Sequence, residues 1–148
     1  MSSLYAKVIN FKIKYPLTIG WRSGAHCRVV ANHLGDDEKV LYAFTAQKND
    51  GFFDIISSCV VVLTNKRLLI GQKRVLFGYF FYSITPDMFN DLQIKMGLIW
   101  GKIYIDTIKE LVVLSNISKR ALVEIEEQIS DFMIEEKKNY AFRSKAKE

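Results

Sequence analysis

From Glu38 to Leu114 the sequence is a row of short apolar runs, each closed by turn-forming residues, and this spacing limits what the chain can fold into. The runs are Glu38 to Lys48, Cys59 to Leu63, Arg67 to Gln72, Val75 to Ile84, Leu92 to Met96, Lys102 to Asp106 and Lys109 to Leu114. β-Branched, aliphatic and aromatic residues in segments of this length, bounded by Gly, Pro, Asn and Asp, predict strands. Thr64-Asn65-Lys66 reads as a tight hairpin turn, and Gly97 and Gly101 bracket Leu98-Ile99-Trp100 at another. Pro86 ends the aromatic run, and Asp87-Met88-Phe89 follows as a single helical turn. The pair Phe52-Phe53, in the connection 49–58, is too apolar for a solvated loop and calls for a cover.

After Leu114 the period changes. Leu122, Ile125, Ile129 and Phe132 step by three and four, with Ser118 placed as an N-cap and Glu124, Glu126 and Glu127 available for the opposite face. This predicts an amphipathic helix running to about Lys138, whose apolar stripe is buried against the strands. The expected architecture is α+β and mainly β: an open seven-stranded barrel capped at one end by the C-terminal helix. Upstream, Cys27, Val30, Ala31 and Leu34 recur at helical spacing before Gly35 and predict a short helix from about Arg22 to Leu34. Ile9, Phe11, Ile13 and Tyr15 alternate with Asn10, Lys12 and Lys14, a period of two that predicts a strand or extended arm, stopped by Pro16. The chain therefore divides into an arm and short helix over 1–35, the strand-and-helix domain over 36–138, and a basic tail over 139–148.

At 148 residues and 49% hydrophobic composition the chain buries a core without staples. Cys27 and Cys59 lack C-x-x-C spacing and are expected to be reduced and buried. The apolar runs fall far short of the roughly 18 residues of a spanning helix, and the first residues do not form a secretory signal, so a cytoplasmic location is expected. The net charge of +5 sits on the ends of the chain, while between Trp21 and Glu136 acids slightly outnumber bases. No clear basic stripe forms, and nucleic acid is not an expected partner.

Nor does the sequence name a reaction. His26 and His33 lie seven positions apart, about 10.5 Å along a helix, too far to hold one metal ion. Asp36, Asp37 and Glu38 mark a solvated connection rather than a metal cluster. Side chains of the neighbours His26 and Cys27 diverge by about 100°, so they are not a paired base and nucleophile. Phosphate-cradling glycine loops and hydrolase strings are absent. The expectation is a protein that is not an enzyme, with no cofactor and no metal.

The string Leu63-Thr64-Asn65-Lys66-Arg67-Leu68-Leu69, preceded by Glu38-Lys39-Val40-Leu41-Tyr42-Ala43-Phe44 and followed by Gly97 through Ile105 and the terminal helix, resembles the bacterial pleckstrin-homology-like (PH-like) domain family over roughly residues 36 to 138. The resemblance implies a seven-stranded barrel capped by a C-terminal helix, no catalytic role, and the self-assembly seen in several relatives. Relatives that bind inositol phosphates gather basic residues between the first two strands. This chain departs from them there, since Gln47 to Ser58 carries Lys48 only, against Asp50 and Asp54. The leading reading is a non-enzymatic interaction module working through protein contacts and forming a homo-oligomer. Its candidate contact residues are Tyr79, Phe80, Tyr82, Leu98, Ile99 and Trp100, because alternation sends aromatic rings to both faces of one strand and leaves more apolar surface than a single plug hides. The N-terminal arm and helix are the rival cover. The alternative function is peripheral binding to an anionic membrane surface through Lys66, Arg67, Lys73, Arg74 and the basic tail.

Overall fold

The computed structural model describes residues 2–48 and 57–146. Seven antiparallel strands, β1 (Val40–Lys48), β2 (Ser58–Thr64), β3 (Leu68–Lys73), β4 (Tyr79–Ile84), β5 (Phe89–Met96), β6 (Trp100–Thr107) and β7 (Leu111–Ser118), lie in one sheet in the order β4-β3-β2-β1-β7-β6-β5. Consecutive strands pair except β4 and β5, which are the two edges of the sheet. The first and last strands meet at Gln47 opposite Ser115 and Lys48 opposite Leu114, which curls the sheet into a half-barrel. Three helices complete the chain: α1 (Ser2–Lys14), α2 (Ser23–Ala31) and α3 (Leu122–Ala146).

Strand periodicity divides the apolar residues between two cores. Phe44, Cys59, Val61, Leu63, Leu68, Ile70 and Ile84 point inward and pack with Leu122, Ile125, Ile129 and Met133 of α3. Their alternates Ala43, Val60, Val62 and Leu69 form a second cluster on the outer face, closed by Leu4 and Val8 of α1 and Cys27 and Val30 of α2. Covering both faces leaves every residue of β2 buried, which is why its sequence is a continuous apolar run rather than an alternation. The approach of α2 is close: a Cβ on Gly71 would fall 2.5 Å from a methyl carbon of Val30.

The N-terminal arm is a correction to the expectation. Residues 2–14 form a helix, not a strand. Leu4, Val8 and Phe11, at i, i+4 and i+7, are buried, whereas Ile13 is 73% exposed. Over Ile9 to Tyr15 the period-two and period-3.6 patterns share Phe11. The outer face of β1 and β2 decides between them, because a helical stripe seals it and an extended arm does not. Lys14 of α1 pairs with Glu124 of α3 at 2.6 Å, and the Tyr42 hydroxyl donates to the same carboxylate at 2.7 Å, so one acid ties α1, β1 and α3 together.

Other boundaries moved as well. β4 begins at Tyr79, and the expected strand residues before it form the β3–β4 turn, closed by the Arg74 amide donating to the Gly78 carbonyl at 3.1 Å, with Gly78 at φ +71°. Helix α3 passes Lys138 and continues to Ala146, since the stretch 139–146 contains no Gly or Pro to stop it. A 3₁₀ turn, Lys119–Ala121, leads into α3, and the Ser118 side chain makes no capping bond. Phe52-Phe53 lies outside the described residues. The helical arm predicts opposite sensitivities at two sites. Val8→Ala is expected to lose about 2 kcal/mol in urea denaturation, and Ile13→Ala to stay within about 0.5 kcal/mol. The reverse ranking would restore the strand.

Candidate functional site

The four basic residues expected to act together stand at opposite ends of β3. Lys66 and Arg67 precede its first residue, while Lys73 and Arg74 follow from its last, about 20 Å away along the strand. The two near the β2–β3 turn are already engaged. Lys66 pairs with Asp37 at 2.7 Å. Arg67 donates from Nε to Glu38 Oε2 at 2.9 Å and from Nη2 to Glu38 Oε1 at 3.1 Å and to the His33 carbonyl at 2.9 Å, and Nη1 reaches the Ser83 hydroxyl at 3.2 Å. Glu38, only 2% exposed, also accepts from the Thr64 hydroxyl at 2.6 Å and the Gly35 amide at 3.1 Å. Burial alone would raise its pKa, but the bonds from Arg67, Thr64 and Gly35 outweigh it and hold the carboxyl at about 2. Asp37 and Glu38, expected to mark a solvated connection, are thus the partners that absorb half of the basic set.

Lys73 and Arg74 lie beside a different chemistry. Between them and β4 stand Val75, Leu76 and Phe77, of which Leu76 is 82% and Phe77 85% exposed. Three consecutive apolar side chains at a hairpin tip, flanked by two cations, were not singled out from the sequence, because Val75 and its neighbours read as strand. The backbone of Lys73 is pinned to α2: its amide donates to His26 Nδ1 at 2.8 Å. Burial is the main reason the His26 imidazole is pushed down to about 4, with the Arg22 charge adding to it.

The six candidate contact residues are not one patch. Phe80 and Tyr82 turn inward, half-buried at the barrel mouth, where they line a cavity of about 180 Å³ and Lys48 sits 3.5 Å above the Phe80 ring. Tyr79 faces outward at the β3–β4 tip, 53% exposed, in an edge contact with His33, whose ring stacks on Phe81 at 3.9 Å. So α2 covers part of the outer aromatic face. Leu98, 88% exposed, and Ile99 stand on the β5–β6 turn at the opposite end of the molecule. Beside them the Trp100 indole donates to the Leu17 carbonyl at 2.6 Å.

Charge is more segregated in space than along the chain. Residues 1–35 and 57–86, which supply α1, α2 and β2 to β4, contain Lys7, Lys12, Lys14, Arg22, Arg28, Lys66, Arg67, Lys73 and Arg74 and not one Asp or Glu. Among the described residues, the acids of the second half lie on the 3₁₀ turn after β4 (Asp87), on β5 and β6, at Glu110 in the β6–β7 turn, and on α3. That absence of acids was the available signal for Arg22 and Arg28, which the sequence reading passed over. No group of His, Cys, Asp and Glu suited to a metal ion occurs among the described residues, and no described helix is long and apolar enough to cross a membrane.

The family model described as bacterial PH domain matches residues 34–131. The chain belongs to the bacterial PH domain family. A solved pleckstrin homology domain from Shewanella amazonensis SB2B, at 1.99 Å resolution, is similar over 76% of this chain and 89% of that one, with 18% identity and a TM-score of 0.49. No curated protein matches. PH-like domains are generally non-catalytic modules that mediate protein or lipid contacts. The matched span begins after α2, so α1, α2 and the side chains they carry lie outside it.

The two perturbed groups set the acid limit of the fold. His26 stays neutral when folded, so as pH falls below about 6.5 the unfolded chain takes up a proton that the folded one refuses, and stability declines until about pH 4. Glu38 then adds a second decline below about 4.5, as the unfolded carboxyl protonates while the folded one resists down to about 2. Urea midpoints measured from pH 7 to 3 are expected to fall in both windows, and His26→Gln to abolish the upper fall alone. Arg67→Met is expected to cost about 3–5 kcal/mol by leaving the Glu38 charge buried, and adding Glu38→Gln to recover part of it. A neutral Arg67→Met would contradict this bonding.

Proposed function

We propose that this chain is a non-catalytic PH-like module that attaches peripherally to an anionic membrane surface through the β3–β4 tip. The observation that carries the reading is the composition of that tip: exposed Leu76 and Phe77 between Lys73-Arg74 and Tyr79, on a half of the molecule supplied by segments without acid. Apolar side chains that enter the boundary between headgroups and acyl chains gain the free energy of leaving water, and cations beside them gain about 1 kcal/mol each near an anionic leaflet.

Cosedimentation with vesicles of phosphatidylcholine and phosphatidylserine tests the reading. Binding is expected at 0.1 M salt and to weaken steeply at 1 M, where the Debye length shrinks to about 3 Å. Arg74→Ala should weaken it about fivefold, and Phe77→Ser about tenfold, with unchanged unfolding midpoints. Absence of binding at low salt would remove the proposal. A second reading, self-association through protein contacts, is favoured by the exposed Leu98 and Ile99 on the other end, where no cation of the tip reaches. Light scattering at low and high salt then returns a discrete, salt-resistant oligomer that Leu98→Glu dissociates; a monomer at all concentrations rejects it.

A further inference from the structure

Between α2 and the outer face of the β3–β4 hairpin lies an open cavity of about 480 Å³ whose polar lining includes Arg22, Arg28, Asn32, Lys73 and Tyr79 and no acidic residue. Arg28 and Lys73 form no ion pair among the described residues. The Arg22 guanidinium rests 5.5 Å from the Trp21 ring and reaches the Lys73 carbonyl at 3.5 Å, a long bond that leaves most of its donors unused. Three like charges thus line one opening without an acidic residue among its lining, a donor set suited to an anion. The backbone contributes to the convergence. Arg22 has φ 55°, in the left-handed region that residues with a Cβ adopt at a cost, and this turn sets the guanidinium against the end of β3. His26 fixes the other wall by accepting the Lys73 amide.

We propose that this cavity is a phosphate site that takes a phosphomonoester group, from a lipid headgroup or from a soluble phosphate. A phosphomonoester carries close to two negative charges at neutral pH and three terminal oxygens, which suit two guanidinium forks and an ammonium better than the single charge of a phosphodiester does. Arg22, Arg28 and Asn32 precede the family-matched span while Lys73 and Tyr79 lie within it, so the site is formed between the N-terminal segment and the barrel. Lys73 and Tyr79 are cross-strand partners at the base of the β3–β4 turn, so the cavity adjoins the apolar tip. A headgroup bound there leaves its acyl chains beside Leu76 and Phe77. The lipid source alone rests on the membrane reading.

Two measurements on the full chain separate these claims. Inorganic phosphate titrated into the protein is followed by calorimetry and amide shifts. Vesicles containing phosphatidic acid are compared with phosphatidylserine vesicles of equal surface charge at 0.15 M salt. The expected result is phosphate binding with shifts centred on α2 and β3, and about fivefold tighter binding to phosphatidic acid, both lost in Arg28→Gln, an exposed position that leaves the fold intact. Phosphate binding lost in Arg28→Gln without a monoester preference on vesicles also supports the site and assigns it to soluble phosphate. Neither phosphate binding nor a monoester preference overturns the site, even where Phe77-dependent binding to phosphatidylserine persists and the membrane reading stands. Failure of all vesicle binding with phosphate binding intact overturns the membrane reading alone.

Discussion

The Arg67–Glu38 pair is the joint on which the outer half of the molecule depends. Two opposite charges withdrawn from water give no net stability unless the geometry is close and the remaining donors and acceptors are filled. Here the fork is bidentate, and its remaining bonds reach the turn that follows α2 through the His33 carbonyl and β4 through Ser83, while Glu38 holds the β2–β3 turn through Thr64. One buried ion pair therefore fixes the end of α2 against three strands. The position of α2 in turn decides how much of the aromatic face of β4 is covered and where Arg22 and Arg28 point. A residue singled out as an anion ligand acts instead as the brace for a neighbouring basic cavity.

Much of the barrel was legible because a strand with one partner face keeps its alternation. β4 sends Phe80, Tyr82 and Ile84 inward and Tyr79 and Phe81 outward, as alternation requires, and α3 is read from Leu122, Ile125 and Ile129. Failure came where two periods share residues. Phe11 satisfies both the alternation of 9–15 and the helical stripe Leu4, Val8, Phe11, and local sequence cannot choose between them. The choice belongs to a surface distant in sequence, the outer face of β1 and β2, whose Ala43, Val60 and Val62 need a wide apolar cover. The candidate sites were less legible for a related reason. Adjacency along β3 suggested that four cations converge, but a strand separates its ends by its whole length, and acids just before β1 neutralise one end.

Two helices outside the matched PH span change what the domain presents. By sealing the outer face of β1 to β4 they turn a sheet surface into core, and the most exposed apolar side chains of the strand connections are left at two turns, Leu76 and Phe77 on one and Leu98 on the other. The β3–β4 tip and the β5–β6 turn lie at opposite ends and cannot share one flat partner. This geometry separates the two functional readings physically, since a surface that meets the first tip leaves Leu98 and Ile99 free.

Charge placement gives the membrane reading a direction as well as an affinity. Six strand residues, about 20 Å of rise, separate the β3–β4 tip from the Ile84 end of β4, where the 3₁₀ turn at Pro86–Met88 meets α3 and its acids. At physiological ionic strength the Debye length is about 8 Å, so a tip approaching an anionic leaflet feels attraction through Lys73 and Arg74 while Glu135 and Glu136 lie beyond the range of effective repulsion. A net charge of +5 spread evenly would attract the chain without orienting it. The acid-free segments that supply α1, α2 and β2 to β4 instead concentrate bases without acids beside the end that also carries exposed Leu76 and Phe77.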